Sequence, residues 1–499
     1  MKIIEQAKRH GSRTAIFSEG RSYSYSSLLE VSEAIACHLL KAKGDLREKR
    51  ISYLIAPSFN YTAVQWGIWR AGGIAVPLCA SHPLPSMEYV LLDSQAEMIL
   101  VDDNYAGVLR PLAEQCNIPL YTIAPLLKSA GETESLPEID PCRRAMILYT
   151  SGTTSKPKGV VSCHHHIEAQ IKTLVTAWEW ETNDRILNVL PLHHVHGIIN
   201  VMLCALWVGA CCEFLPKFNP EKVWSRLVSG DLTLFMGVPT MYYQLIKYWD
   251  SATKDDQEIL SDGVSQLRLM VSGSAALPES VLEKWRRISG QTLLERYGMT
   301  EIGMGLTNPY KGKRRAGHVG SPFEGVQIKL VDQQLVEVPK GEVGEILVKG
   351  PSVFNEYWNK PEATKEAFTT DGWFKTGDMA VLNDKAYKIL GRTSVDIIKS
   401  GGYKISALEI EEVLRNYSGI KDCAVVGLPD EEWGEIVAAA LVTDIKSLDP
   451  DRLTTWLKEK LPPYKVPRKY EIMEALPRNV LGKVVKTSLK EYFKGEKKS

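Results

Sequence analysis

Residues 149 to 161 read YTSGTTSKPKGVV. Thr150, Ser151, Gly152, Thr153 and Thr154 carry a hydroxyl or no side chain, and Lys156 and Lys158 follow on either side of Pro157. Small residues let backbone N–H groups approach a bound group closely, hydroxyls donate hydrogen bonds, and two ammonium groups add positive charge. The proline stiffens the chain between the lysines. This chemistry suits phosphates, a triphosphate best. It is not the P-loop, because Gly152 and Gly159 do not end in the required Gly-Lys-Ser/Thr. On composition alone, a flexible polar surface turn competes with a phosphate loop.

Other residues carry chemistry only in combination. Asp378 in WFKTGDM would by itself cap a turn or helix. Glu301 alone reads as a solvated carboxylate, and Lys483 as one surface lysine among many. His194 and His196, two apart, share one side of an extended segment, but no spacing completes a metal site around them. His196 is expected to satisfy a backbone group. His164, His165 and His166 are read as solvated or capping residues, and Arg314 and Arg315 as a solvated basic turn. Arg296 either forms an internal ion pair, with Glu295 or a distant acid, or meets a ligand carboxylate through its planar fork.

These residues need elements to hold them. The run AMILYT at 145–150 is a strand leading into the hydroxyl-rich loop. Upstream, apolar positions 28, 31, 35 and 39 mark one face of a helix over 26–40. RISYLIAPS then reads as a strand, YTAVQWGIWRAGG as a helix ended by Gly72 and Gly73, and AEMILVDD as another strand. Further strands are expected near 186–192, 232–237 and 267–273. Helices between short apolar strands imply an α/β region with largely parallel sheets. Residues 128–142 are polar and turn-rich, hence a loop. VMLCALWVGACCEFL at 201–215 is too short to span a bilayer and reads as buried packing. Valine-rich pieces over 325–349 suggest a small antiparallel or barrel-like subdomain. Past residue 392, apolar positions 410, 413, 414 and 417 mark a helix, DCAVVGLP and EIVAAALV are strands, and DPDRLTTWLKEKL is a helix opened by Asp449 and Pro450. The expected boundary lies near residue 392, between an N-terminal region over 1–391 and an α+β domain over 395–499.

The chain has 499 residues, 44% hydrophobic and 24% charged, with formal net charge +0. That composition is globular, and the balanced charge disfavours nucleic acid as a partner. Nine cysteines without a CxxC pair support neither a disulfide framework nor a zinc site by spacing, which favours a reducing compartment. The N-terminus shows no signal-peptide core.

The ordered motif at 149–161 resembles the signature loop of the adenylate-forming superfamily, which includes acyl-CoA synthetases, luciferases and peptide-synthetase adenylation domains. LPLHHVHG, VSGSAALP, LLERYGMTEIGM, PSVFNEYWNKPE, DGWFKTGD, GRTSVDIIKSGGYK and LPRNVLGKVVK are similar to blocks of its malonyl-CoA synthetase branch, especially the mitochondrial animal form. The resemblance spans residues 10 to 489. It implies that Thr150 to Lys158 contact ATP phosphates, that Gly273, Ser274, Ala275 and Tyr297 bound an adenine pocket, and that Asp378 and Arg392 hold the ribose. Thr300 would help hold phosphates, Glu301 would support magnesium, and Lys483 would reach the reacting carboxylate and the α-phosphate. Arg296 would bind a distal substrate carboxylate, with His194 and Met299 on the acyl pocket, and Gly401 and Gly402 would line a thiol channel after domain rotation. The resemblance also implies that the α+β domain is mobile about a joint at 392–394, with Thr393 and Ser394 as its pivot. Two departures stand out: Ser155 replaces the usual glycine, and the joint carries one extra residue and lacks the common Asp or Lys hinge.

The implied function is an ATP-dependent acid–CoA ligase that makes malonyl-CoA through malonyl-AMP, using ATP, Mg2+ and CoA. Its expected location is the mitochondrial matrix or the cytoplasm. Another short acid such as methylmalonate is the neighbouring reading. A catalytically inactive ATP/AMP-binding regulatory protein is the rival from another class.

Overall fold

The computed structural model describes the chain except for residues 42, 128–134, 151–155, 394, 446–447, 480–481, 494, 496–499 and the Lys404 side chain. Ser151, Gly152, Thr153, Thr154, Ser155 and Ser394 therefore lie outside the described residues, as does the first part of the 128–142 loop.

Among the described residues the strands form four sheets. In the largest, strands Thr14–Ser18, Cys211–Phe214, Arg185–Asn188, Leu234–Gly237, Leu269–Ser272 and Leu294–Met299 run parallel, and antiparallel strands finish both edges. In the second, Arg50–Leu54, Ile74–Pro77, Met98–Val101, Leu120–Thr122 and Arg144–Thr150 are parallel neighbours, and Lys158–Cys163 folds back antiparallel on Arg144–Thr150. The central strands are buried on both faces, as parallel sheets covered by helices require. Helix Phe59–Arg70 is buried at every residue but Asn60. Its Trp66 and Trp69 belong to a core that also draws on Ile186, Met236 and Val271 of the other sheet, so the two sheets share one interior.

The strand expected over 186–192 stops at Asn188. There the Asn188 side chain accepts from Leu190 N and donates to the Gly197 carbonyl, both at 3.1 Å, which turns the chain out of the sheet. It enters a π-helix over His196–Leu203, a rare form that concentrates at functional sites. The 201–215 run is buried as expected, as helix and then strand.

Strands Gln327–Val331, Val343–Lys349, Phe374–Asn383 and Ala386–Arg392 make the small antiparallel subdomain. After Arg392 a separate sheet of strands Ile397–Ser400, Tyr403–Ser406, Ile420–Asp430, Gly434–Thr443 and Lys469–Ile472 packs against helices Ala407–Arg415, Pro450–Lys458 and Lys486–Phe493. Ser406 and Asp449 cap the first two helices by accepting N–H bonds in the first turn. This α+β unit has its own cores, built from residues beyond 397. The Lys486 ammonium is buried there, 2.7 Å from both Asp396 Oδ1 and Glu411 Oε1. Asp396 Oδ2 also accepts Arg392 N at 3.0 Å. The joint, the helix Ala407–Arg415 and the C-terminal helix are thereby tied together.

The C-terminal unit touches the larger region where Glu412 Oε1 accepts Glu279 N at 3.0 Å. Close by, Glu295 is buried and accepts Gly317 N at 3.1 Å. Burial, reinforced by Glu279 and Glu412, pushes its carboxyl from an ordinary 4.5 up to about 8. The folded chain holds this proton to higher pH than the unfolded chain, so stability falls as pH rises from about 4.5 to about 8. Glu295→Gln keeps an acceptor for Gly317 and removes the ionisation. Its unfolding free energy in urea is expected to match the native one at the acid end and to exceed it increasingly toward pH 8, by on the order of 3 kcal/mol there. Parallel pH profiles for the two proteins would show that the carboxyl is ionised throughout.

Candidate active site

Asp378 and Arg392 are direct partners across the antiparallel pair that ends at the joint. Arg392 Nε donates to Asp378 Oδ1 at 3.1 Å, and the Tyr297 hydroxyl donates to Asp378 Oδ2 at 2.7 Å. Asp378 Nα–H donates in turn to Thr376 Oγ1 at 3.0 Å. Burial, then the Asp378 charge, pushes the Tyr297 phenol far up, so it stays a donor. Burial works to lower the Arg392 guanidinium, but Asp378, Tyr297 and Glu301 together hold it above its ordinary value. Three residues expected near one nucleotide thus converge through alternation on two different sheets.

One residue before Tyr297, the side chain of Arg296 points to a different environment. It is 5% exposed, and neither Nε nor Nη2 has a hydrogen-bond partner. Among the described residues no carboxylate pairs with it; Glu295, its neighbour in the strand, faces Gly317 instead. The ion pair that competed with ligand binding in the sequence is therefore not formed. Burial lowers the guanidinium to about 10, so it remains a cation at neutral pH. Gly273 makes room for it: a Cβ there would lie 2.4 Å from Arg296 Cζ. Ser274 follows with φ 69°, and its hydroxyl lies 3.2 Å from His196 Nδ1. His196 thus meets a side-chain hydroxyl, not the backbone group expected. Burial, then Arg296, holds His196 well below its ordinary value, and burial, then Lys483, takes His194 down to about 4. Both rings are neutral at physiological pH.

Thr150 and Lys158 face each other at the end of the hairpin formed by Arg144–Thr150 and Lys158–Cys163. Lys156 Nζ lies over the Tyr89 ring at 5.6 Å, and Lys158 Nζ over the Tyr357 ring at 4.9 Å. The Tyr357 hydroxyl donates to Glu301 Oε1 at 3.1 Å. Tyr357 therefore connects the hairpin to Glu301, a role no sequence motif announced. Glu301 is 6% exposed, and burial raises its carboxyl pKa. An inward carboxylate without a lysine or arginine ion pair among the described residues suits a hard divalent cation. Met299 and Thr300, both half-buried, lie where Leu294–Met299 turns toward Gly303–Thr307.

Lys483 comes from the C-terminal unit. Its turn is closed by Asn479, whose Oδ1 accepts Lys483 N at 3.0 Å and whose N donates to Lys483 O at 2.9 Å. At neighbouring Gly482, φ 75°, a Cβ would sit 3.0 Å from Thr240 Oγ1 of the larger region. The Lys483 side chain is exposed, while protein around it desolvates the ammonium. Those surroundings, then Arg392, lower its pKa, with Arg296 acting in the same direction and Asp378 opposing. Lys483, Arg296, Arg392, Asp378, Tyr297 and His194 thus share one neighbourhood.

Gly401 and Gly402 are elsewhere. They form a two-residue hairpin turn with φ 56° and 83°, the positive pair such turns demand. The turn is exposed, and Gly401 N donates to Trp433 O at 2.9 Å within the C-terminal unit. Ala275 is exposed. His166 Nδ1 accepts Cys163 N at 3.1 Å as a cap, but it is buried, not solvated. Arg314, expected to be solvated, donates to the carbonyls of Thr292, Pro309 and Tyr310 and locks its loop. At the joint, Thr393 N donates to Gly377 O at 2.9 Å.

Residues 3–358 match the model of the AMP-binding enzyme family, and residues 409–483 match that of the AMP-binding enzyme C-terminal domain. The chain is 44% identical to the mitochondrial malonate–CoA ligase ACSF3 of Homo sapiens, over 98% of this chain and 92% of that protein. It superposes on ATP-bound MatB from Rhodopseudomonas palustris with a TM-score of 0.91 and 30% identity, covering 99% of each chain. Against a malonyl-CoA ligase in a ternary product complex with methylmalonyl-CoA and AMP, the TM-score is 0.69 at 33% identity, covering 94% of this chain and 97% of that one. With the main region and the C-terminal region matched in order along nearly its whole length, the chain belongs to the AMP-binding enzyme family.

Proposed function

We propose that the protein is an ATP-dependent malonate–CoA ligase. The observation that carries this reading is the buried Arg296 guanidinium, whose Nε and Nη2 lack protein partners. A buried cation without a counter-charge costs several kcal/mol, and a substrate carboxylate supplies the missing charge with two oxygens in the plane of the fork. The acid to be activated must then bear a second carboxylate at its other end. The human relative is a malonate–CoA ligase, in keeping with this.

In the first step a carboxylate oxygen attacks the α-phosphorus of ATP, the bond to the β-phosphate oxygen breaks, and pyrophosphate leaves. Negative charge accumulates between two anions, and the Lys483 ammonium is placed to stabilise it more than it stabilises the separated reactants. Asp378 and Arg392 would hold the ribose hydroxyls, and Tyr297, Gly273, Ser274 and Ala275 the adenine. Thr150, Lys156, Lys158 and Thr300 would hold the phosphates. Glu301 would hold Mg2+, which supplies charge neutralisation on the phosphates when bound. His194, neutral, and Met299 would wall the acyl chamber. In the second step the CoA sulfur attacks the acyl carbon and AMP leaves. The closer fit to the ATP-bound structure than to the product complex supports assigning the present arrangement, with Lys483 inward, to the first step. Residues 392–394 would then be the joint between a region over 1–391 and a domain over 395–499, and the Gly401–Gly402 turn would serve the second step after rotation. A mitochondrial location is inferred from the human relative; the cytoplasm is the alternative.

The deciding experiment supplies ATP, magnesium and CoA with a panel of mono- and dicarboxylic acids and measures AMP and thioester together. Malonate is expected to lead, with methylmalonate second because one methyl changes discrimination by only about 1–3 kcal/mol. ATP binding without thioester from any acid would establish the regulatory reading instead. Arg296→Ala is expected to lower kcat/KM for malonate roughly 10- to 150-fold, while short monoacids are unaffected or improved; equal losses for both classes would remove the selectivity role. Gly273→Ala drives a methyl into the guanidinium and is expected to cost on the order of 100-fold on malonate through misplacement, with a thermal midpoint close to the native one.

A further inference from the structure

Beside His194 the fold gathers a second group of donors that the ligase chemistry does not use. Cys79 follows strand Ile74–Pro77 and is buried, and His82 N donates to Cys79 O at 3.1 Å, curling the segment so that both side chains lie together. His193 comes from the segment after strand Arg185–Asn188, in the other large sheet. The His82 and His193 rings approach edge-on with centroids 5.5 Å apart. One donor atom from each of Cys79, His82 and His193 lies within 4.8 Å of the other two. His193 Nε2 is buried and has no hydrogen-bond partner, although it belongs to a ring that packs 4.3 Å from His194. Both histidines are half-buried, so an ion can reach them.

We propose that Cys79, His82 and His193 form a Zn2+ site that staples the two large sheets beside the acyl chamber. One thiolate and two imidazoles are the borderline-soft donors that zinc prefers, and they exclude Mg2+ and Ca2+, which take oxygen. Three protein ligands leave a fourth tetrahedral position for water. Bond lengths of about 2.0–2.3 Å require the donors to draw together by rotation about their side-chain torsions, without movement of the strands. Binding displaces the Cys79 thiol proton to solvent, so affinity rises with pH. The ion would fix the end of one parallel strand to the end of another in a different sheet, adding to the bridge in which the Tyr53 hydroxyl donates to Tyr61 and the Tyr61 hydroxyl to the Leu192 carbonyl.

The test uses tag-free, full-length protein stripped with a chelator and titrated with Co2+ as a spectroscopic stand-in. One equivalent is expected to produce the sulfur-to-cobalt charge-transfer band and the intense visible bands of a four-coordinate centre, and Zn2+ is expected to bleach both. Cys79→Ser should lose the charge-transfer band, and His193→Ala should weaken Zn2+ competition by roughly 100-fold or more. Cys142→Ser, which removes an exposed cysteine elsewhere, should keep the band. Zinc should raise the thermal midpoint of the native protein and of Cys142→Ser but not of Cys79→Ser. A band that survives in Cys79→Ser, or native protein that shows none at one equivalent, overturns the site. Cys79→Ser is expected to keep the metal-free ligase rate, which verifies that it folds.

Discussion

A charged guanidinium enclosed by protein and left without a carboxylate is expensive, and much of the chain around Arg296 is arranged to tolerate it. Strand alternation sends Glu295 to the opposite face, where it binds Gly317, so the acid one residue away cannot neutralise the base. Glycine at 273 is the only residue type that leaves the fork its space. His196 stands beside it as a neutral ring anchored on Ser274, adding no second charge. Each neighbour avoids satisfying the cation. Selectivity for an acid with charge at both ends would follow from that restraint more than from any attractive contact within the protein.

The same economy of charge governs the cleft mouth. Arg392 is balanced by Asp378, and Tyr297 completes that carboxylate's hydrogen bonds. Lys483, by contrast, is desolvated by the protein around it and stands near Arg392 and Arg296, and these together lower its pKa. Asp378 and Asp396 act on it in the opposite direction. Tyr357 performs a similar duty on the opposite side, placing a ring under Lys158 and its hydroxyl on Glu301, so that cation and carboxylate are held near one another without neutralising each other.

Much of this could be read from residue order. Alternating apolar strands and amphipathic helices foretold the parallel sheets, and the helix starting at Ala407 and the one opened by Asp449 lie where periodicity and caps put them. Arg296, Tyr297, Asp378 and Arg392 converge because strands hold them, and side-chain direction along a strand follows from the backbone. What stayed hidden depends on distance in the fold. Asn188 ends its strand early through two side-chain bonds that no hydropathy pattern encodes. Tyr357 reaches Glu301 from a two-residue strand too short to register as one. Cysteine spacing says nothing of the proximity of Cys79 to His193, which follow strands in separate sheets and meet only in the folded chain. Arg314 looked solvated by composition, whereas its loop curls around the guanidinium to use it.

The buried Lys486 ammonium fastens Asp396, just past Arg392, to Glu411 of helix Ala407–Arg415 and to the C-terminal helix, which stiffens that unit from within. A rigid body pivoting at one end can present only one of its faces to a fixed opening. Were such a body to pivot at Asp396, Lys483 and the glycine turn would face that opening alternately and never together.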